Sequence, residues 1–337
     1  MKGNIAKLVR VALTAGILVG LVLFARTVNW RVTWDRITDA DRATLVVAAI
    51  VNMASLAIKA VRWWIFLRPV GAPSLWMAIK ATFAGAGLNN ILVANGGEAA
   101  RVIFVARAAH VPSARVLATL ALERMFELIG YIVLLALAVS FLELPRSIER
   151  TRPIAWLALV GVTALMVFLV RRPDKAIDAV PVPVAGWRGR VMSYVKHFLQ
   201  TLAGISTGPR FTVALLLSVS VWAMQVWTYS LTARAAHFNI SLVGTVAAIL
   251  AVNLGFAMRA TPGNVGVFQA MYALIAVGFG MDKDQAIAVA FLIQTQQILP
   301  ITALGVIMAP EFIFKRKQAH RVQDEGLELV PPRDTAV

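Results

Sequence analysis

Apolar and polar positions along this chain alternate in blocks the length of whole helices. Apolar runs cover Val11–Ala25, Ala43–Val61, Leu117–Leu142, Ile154–Val170, Phe211–Ala233 and Ala286–Ala309. A helix needs roughly 20 such residues to cross the hydrocarbon core, and these runs cluster around that length. Two further regions are apolar but interrupted. Leu75–Ala109 is broken by Asn89-Asn90 and Asn95-Gly96-Gly97, and Ser241–Phe279 by Asn253 and Thr261-Pro262-Gly263-Asn264. Each predicts two shorter helices joined by a turn. The pattern predicts an all-α polytopic membrane protein of about eight helical passes, with two inverted repeats that each contain a broken or re-entrant helix pair.

Composition points the same way. Of 337 residues, 59% are hydrophobic and 15% charged, with mean hydropathy +0.74. Soluble domains run about 45–50% apolar and about 25% charged. Eight passes leave no room for a separate catalytic domain. A net charge of +16 would suggest nucleic acid in a soluble chain. Here the cytoplasmic excess of Lys and Arg typical of membrane proteins explains it, and no nucleic-acid partner is expected. With the N-terminus inside and each broken region returning to its own side, 20 basic residues face the cytoplasm and 9 face outward. Both termini are therefore expected inside, in a bacterial-type inner membrane. The absence of cysteine excludes disulfides and thiolate chemistry.

The expected organisation is one transmembrane domain over 1–312, with broken-helix repeats at about 75–144 and 241–309 and a basic disordered cytoplasmic tail over 313–337. Lys2, Lys7 and Arg10 ahead of the first apolar run resemble a signal peptide. Arg26 makes a poor cleavage site, which favours an uncleaved first helix. Within the cytoplasmic loop 171–210, Trp187, Val191, Val195, Phe198 and Leu202 fall at helical spacing. They predict a basic amphipathic helix, lying either on the inner leaflet or on the protein itself.

The two broken regions repeat one order of events: an Asn-containing apolar arm, a Gly turn, a second arm, a short turn and a full-length helix. Three expected crossings separate them, so the repeats would be inverted. Interrupted helices in inverted repeats point to a transporter binding site near the midplane. A helix that starts inside the membrane aims unpaired N–H groups and a positive dipole end at such a site. Thr261 is expected to cap the second such helix and Pro262 to begin it. Gly96, Gly97, Pro262, Gly263 and Gly266 are expected to build the turns.

Charge at membrane depth costs roughly 2.5–3.5 kcal/mol per residue on insertion scales, so it is seldom idle. Glu123 and Glu127 share a face at i, i+4, with Arg124 beside them. Glu98 and Arg101 follow the first glycine turn, and Arg259 precedes the second. With Thr261, Asn264 and Gln269 they form the candidate substrate-binding set. Other roles compete: a structural Arg124–Glu127 ion pair, Lys59 and Lys80 as interfacial anchors, and Gln294, Gln296, Gln297 and Asn52 as interhelical hydrogen-bond glue. His110, His197, His237 and His320 are scattered, so no metal site is expected. Nor is there a nucleotide loop or a Ser/His/Asp grouping. No cofactor or catalytic residue is expected.

The segment Asn90-Ile91-Leu92-Val93-Ala94-Asn95-Gly96-Gly97-Glu98-Ala99-Ala100-Arg101, followed by Leu120-Ala121-Leu122-Glu123-Arg124-Met125-Phe126-Glu127, resembles the lysylphosphatidylglycerol synthase transmembrane-region family. Thr261-Pro262-Gly263-Asn264-Val265-Gly266-Val267-Phe268-Gln269-Ala270 is similar to its later signature, and the resemblance covers roughly residues 5–312. It implies a flippase-like domain. In members with a soluble aminoacyl-transferase this domain moves the aminoacylated lipid, and in others it is associated with isoprenoid-linked or hopanoid-related lipids. The resemblance assigns Glu98 and Arg101 to the first signature, Glu123, Arg124 and Glu127 to an acid-base-acid pattern, and Pro262, Gly263 and Gly266 to the late turn. Val93 and Asn95 stand where many members carry Pro and Arg, and Gln269 stands where an acid is common. No synthase domain is expected after the last helix.

The expected function is a non-enzymatic lipid translocase for a polar, phosphate-containing lipid with an anionic, aminoacylated or polyprenyl-linked headgroup. A membrane enzyme transferring a group onto a lipid phosphate, or a scaffold for a separate lipid-modifying enzyme, are the alternatives.

Overall fold

The computed structural model describes residues 19–72, 74–91, 96–141, 208–256 and 261–308, with scattered positions between 153 and 203. Several sequence expectations lie outside these residues: Val93, Asn95, Arg259, most of the apolar run Ile154–Val170, most of loop 171–210, the tail over 313–337 and the start of the first helix. Every regular element among the described residues is helical. A short stretch over 19–26 leads to α1 (Trp30–Thr38). Then come α2 (Arg42–Leu67), α3 (Leu75–Ile91), α4 (Gly96–Ala108), α5 (Ser113–Phe141), α6 (Gly208–Ala235), α7 (Leu242–Phe256), α8 (Val267–Gly278) and α9 (Lys283–Met308). Helices α2, α6 and α9 are long and apolar enough to cross a membrane. Large apolar side chains such as Val46, Ile50, Leu216, Leu299 and Ile307 face outward, as they must in a chain solvated by lipid.

The order long helix, two short arms, long helix occurs twice, as α2–α5 and as α6–α9. The two copies run in opposite directions. Helices α2 and α6 pack antiparallel along their lengths: Asp41 N–H meets the Ala235 carbonyl at 2.8 Å, Ser55 meets Gln225, and Arg62 meets Ser218. Contacts between the copies mirror each other, with α3 on α9 and α7 on α5.

Both broken regions are helical hairpins. A Cβ added to Gly255 would touch Val267 and Met271, and one on Gly244 would touch Phe279, so α7 and α8 lie antiparallel. Their 15 and 12 residues give arms of about 22 and 18 Å, short of a core about 30 Å thick. The first hairpin closes more tightly. A Cβ on Gly97 would collide with the Gly85 carbonyl, and one on Gly85 would lie 3.0 Å from the Gly97 carbonyl. Glycine is required at this crossing by space.

The end of α3 meets the turn of the second hairpin. The Asn90 carbonyl lies 3.8 Å from where a Gly263 Cβ would stand, and α3 contacts the Pro262–Asn264 turn. A second close approach, Gly87 against Gly305, seats α3 on α9. Two apolar clusters fill the copies, one around Trp63, Phe66, Leu122 and Phe126, the other around Tyr229, Phe268, Tyr272 and Ile293.

Candidate functional site

The i, i+3 and i, i+4 spacings of the charged residues put them on single faces of three helices, which converge. Helix α2 supplies Lys59 and Arg62, α4 supplies Glu98 and Arg101, and α5 supplies Glu123, Arg124 and Glu127. Arg101 Nη2 donates to Glu123 Oε2 at 2.6 Å. Arg62 Nη2 lies 3.8 Å from Glu123 Oε1 and 3.3 Å from Glu127 Oε1. Lys59 Nζ stands 3.3 Å from Glu127 Oε1, and Arg124 Nη1 donates to Glu127 Oε2 at 2.7 Å. Arg124 also pairs with Glu98. The seven side chains form one connected chain of ion pairs.

The cluster has a depth gradient. Arg62 and Glu123 are buried, at 0% and 4% side-chain exposure, whereas Lys59 and Arg124 reach 29% and 55%. Arg62 lies five residues before the end of α2, about 8 Å of helix. It is held from the other copy as well, its Nη1 donating to Ser218 Oγ at 2.9 Å. Arg101 stacks 4.6 Å over the ring of Trp63, whose indole N–H donates to Thr119 Oγ1 at 2.9 Å. Isolated charges at such burial would be prohibitively desolvated, and mutual pairing with these added donors and acceptors makes the arrangement tolerable.

Beside the cluster lies a cavity of about 120 Å³, lined on its α3 side by Thr82, Gly85, Ala86 and Asn89. Thr82 Oγ1 and Arg101 Nε are buried with no hydrogen-bond partner among the described residues. The cavity is therefore polar, charged on one wall, and incompletely satisfied.

Five of the sequence-derived candidates, Glu98, Arg101, Glu123, Arg124 and Glu127, come together here. Lys59 falls near the end of the apolar run Ala43–Val61 and Arg62 just beyond it, but α2 continues through Trp63–Leu67 and carries both into the bundle, where Lys59 pairs with Glu127. The five apolar residues after Arg62 were the available signal.

The late-turn candidates form a different cluster. Gln269 Oε1 accepts from the Gly266 N–H at 2.6 Å, its amide donates to Gln294 Oε1 at 2.7 Å, and Gln294 reaches the Gly263 carbonyl at 2.8 Å. Thr261 does not cap α8. Its hydroxyl donates to the Val265 carbonyl, Pro262–Asn264 forms a 3₁₀ turn, and Gly266 caps the helix with Gln269 closing the box. The reason is local: Gly263, Asn264 and Gly266 all take positive φ, which stops an α-helix from starting at Pro262. Asn264 is buried with its Oδ1 unpartnered among the described residues. The hydrogen bonds of these residues run within the second hairpin and to α9, away from the ion-pair cluster. In the first hairpin the Asn89 side chain accepts from the Gly97 N–H at 2.8 Å. One N–H at each arm start is thus met by a side chain of its own hairpin, which leaves less of the helix-end charge for a ligand.

An all-α polytopic membrane protein with paired short hairpins and an ion-pair cluster beside a polar cavity is a defined class. The chain belongs to the lysylphosphatidylglycerol synthase TM region family, whose model matches residues 8–305. It is 23% identical over 302 residues to the UPF0104 membrane protein PH1989 of Pyrococcus horikoshii, covering 80% of this chain and 87% of that one. It is also 25% identical over 309 residues to the glycosyltransferase AglD of Haloferax volcanii, covering 79% of this chain and 48% of that protein. The chain therefore spans about half of AglD's length. No solved structure matches it.

Proposed function

We propose that this protein is a lipid translocase of the inner membrane, with both termini in the cytoplasm, that moves a polar, phosphate-containing lipid between leaflets without altering it covalently. One observation carries the reading: six charged side chains, drawn from three helices, line one wall of a polar cavity inside an apolar bundle, with Arg62 buried behind them. Maintaining buried charge is expensive, and a headgroup that must leave water needs such a wall. The headgroup lies in the cavity while its tails stay in the bilayer. Arg124 and Lys59, the exposed cations, meet it first. The oppositely directed copies supply two halves that rock against each other and open the cavity to either leaflet in turn.

The test is flipping of a fluorescent phospholipid in proteoliposomes, read by accessibility to a membrane-impermeant quencher. Wild-type protein should scramble the label, and Arg124→Ala should slow it at least tenfold. Transfer at the wild-type rate by Arg124→Ala and Arg101→Ala alike would end the proposal.

A second reading, a membrane subunit acting in glycosyl transfer onto a lipid phosphate, draws on the name of the Haloferax volcanii relative. It predicts covalently altered lipid after incubation of the purified protein with activated sugar, which mass spectrometry would detect.

A further inference from the structure

The ion-pair cluster has an uncharged counterpart in the second copy. Glu98, Arg101 and Glu123 are matched 171 positions later by Gln269, Tyr272 and Gln294. The same offset carries Gly96, where α4 starts, onto Val267, where α8 starts, and Ser113, where α5 starts, onto the second residue of α9. Each copy ties its second arm to the long helix that follows. Arg101 meets Glu123 at 2.6 Å, and Gln269 meets Gln294 at 2.7 Å.

The two clusters belong to opposite ends of the bundle. A Cβ on Gly71, just past the end of α2, would lie 3.1 Å from Val111 in the α4–α5 turn. The α8–α9 turn lies at the other end, where Gln285 donates to the Ala236 carbonyl and the neighbouring Ala235 carbonyl accepts from Asp41, just before the start of α2.

They also differ in access and charge. The first cluster reaches the surface through Glu98 and Arg124, whereas Gln269 and Tyr272 are each 1% exposed. Among the described residues, neither 242–256 nor 261–278 contains a charged side chain. Even so, the second cluster is incompletely satisfied. The Tyr272 hydroxyl is buried without a partner among the described residues, and so is Asn264 Oδ1, next in the chain to the Gly263 carbonyl that Gln294 binds. Amides that only join helices need neither group. An unpartnered phenol and an unpartnered acceptor are costly to bury. A ligand hydroxyl, which both donates and accepts, matches the two.

We infer that Gln269, Tyr272, Gln294 and Asn264 form a second headgroup site, closed in this structure, which opens toward the α8–α9 end and binds an uncharged, hydroxyl-bearing group. In inverted-repeat carriers one repeat rocks against the other, so one side opens as the other closes. Opening separates Gln269 from Gln294 and frees both amides beside the unpartnered phenol. The inference rests on the translocase reading for this alternation, and adds the place and chemistry of the half that faces away from the ion pairs.

The chain has no cysteine, so single cysteines report water access one position at a time. Gln269→Cys, Gln294→Cys and Asp35→Cys are made in the full chain. Sealed membrane vesicles of both orientations are treated with a charged, membrane-impermeant methanethiosulfonate. Asp35 is exposed on α1, which is tied to the start of α9 through Asn29 and Asp284, and so marks the α8–α9 end. Gln269→Cys should react only from the face that exposes Asp35→Cys, and Gln294→Cys repeats the measurement should the first variant fail to fold. Reaction from the opposite face alone, or from neither face, would overturn the inference.

Tyr272→Phe tests the ligand class. Flipping of fluorescent phosphatidylglycerol and phosphatidylmethanol, which carry equal charge, is compared in proteoliposomes. Loss of the phenol hydroxyl should slow the first about fivefold relative to the second, the order expected for one neutral hydrogen bond. Equal rates of change for both lipids, or no change, would overturn the hydroxyl assignment. Failure of the wild-type protein to flip either lipid, with the glutamine variants labelled as expected, would instead sink the translocase reading and leave the site standing.

Discussion

The Asn52 side-chain amide donates to the backbone carbonyl of Gln296 at 3.3 Å, and that carbonyl is the one Pro300 leaves without an intrahelical partner. Proline removes the i to i−4 bond in the middle of a helix, and in hydrocarbon the orphaned carbonyl needs a substitute. Asn52 is itself held, since Gln225 Nε2 donates to its Oδ1 at 3.2 Å and to Ser55 Oγ at 2.8 Å. Asn90 binds further along α9, donating to Thr302 Oγ1 at 3.0 Å. Two asparagines of the first copy thus hold the proline-containing helix of the second.

The pairing predicts a thermodynamic cycle. Asn52→Ala should lower stability in detergent by about 1–2 kcal/mol, because a buried carbonyl loses its donor. In a Pro300→Ala background the carbonyl regains a backbone N–H, and the same substitution should cost about half as much or less. Thermal or SDS unfolding of the four proteins measures the coupling. Equal costs in both backgrounds would show that Asn52 acts elsewhere.

Removing one partner from the deep end of the ion-pair cluster should be far worse than removing one at the edge. Arg62→Met leaves Glu123 and Glu127 short of a cation at full burial, and should cost about 3–5 kcal/mol. Glu98→Gln, at 20% side-chain exposure and paired among the described residues with the exposed Arg124, should cost no more than about 1 kcal/mol. Equilibrium unfolding of both variants in the same detergent makes the comparison.

The first hairpin turn should tolerate no side chain. Gly97→Ala drives a methyl into the Gly85 carbonyl and forces α3 and α4 apart, so loss of monodisperse protein on size exclusion is expected. Gly278→Ala, with open space at its Cβ, should behave as wild type. Asn89→Ala removes only the cap on Gly97 and should cost about 1 kcal/mol.

The N-terminal end of α2 carries an acid-sensitive cap. The Asp41 carboxylate accepts from the Thr44 hydroxyl and from the amides of Thr44 and Ala43, which hold its pKa below the ordinary 3.8. A carboxyl depressed on folding contributes stability above its unfolded pKa, and loses it as pH falls through the folded one. Asp41→Asn keeps a capping acceptor without a titrating group. Its unfolding midpoint should therefore fall less than that of wild type between neutral pH and pH values below about 4. Parallel melts across that range check it.

Much of the fold was legible because hydrocarbon permits so few solutions. Backbone groups must pair within their own segment, so apolar runs of helical length can be read one at a time, and four predicted spans match α2, α5, α6 and α9 at their cores. The glycines and asparagines of the two interruptions marked the turns. The apolar run Ala43–Val61 ends where Arg62 begins, although Trp63–Leu67 continue the helix with Arg62 fully buried. Thr261-Pro262 carries a strong helix-start signal, yet the positive φ values of Gly263, Asn264 and Gly266 move the start to Val267.

By itself, then, the sequence determined that the chain is a bundle of membrane helices, where its two hairpins break, and which helix faces bear charge, because each of these follows from residues near one another along the chain. Tertiary structure decided which charges meet. Arg62 finds Glu123 and Glu127 more than 60 positions away, Lys59 joins them, and the Gln269 cluster turns instead to Gln294. That outcome depends on how far each helix extends and which helices pack together, and close crossings such as Gly85 on Gly97 and Gly87 on Gly305 set the geometry. Spacing along one helix carries no information about the distance to another.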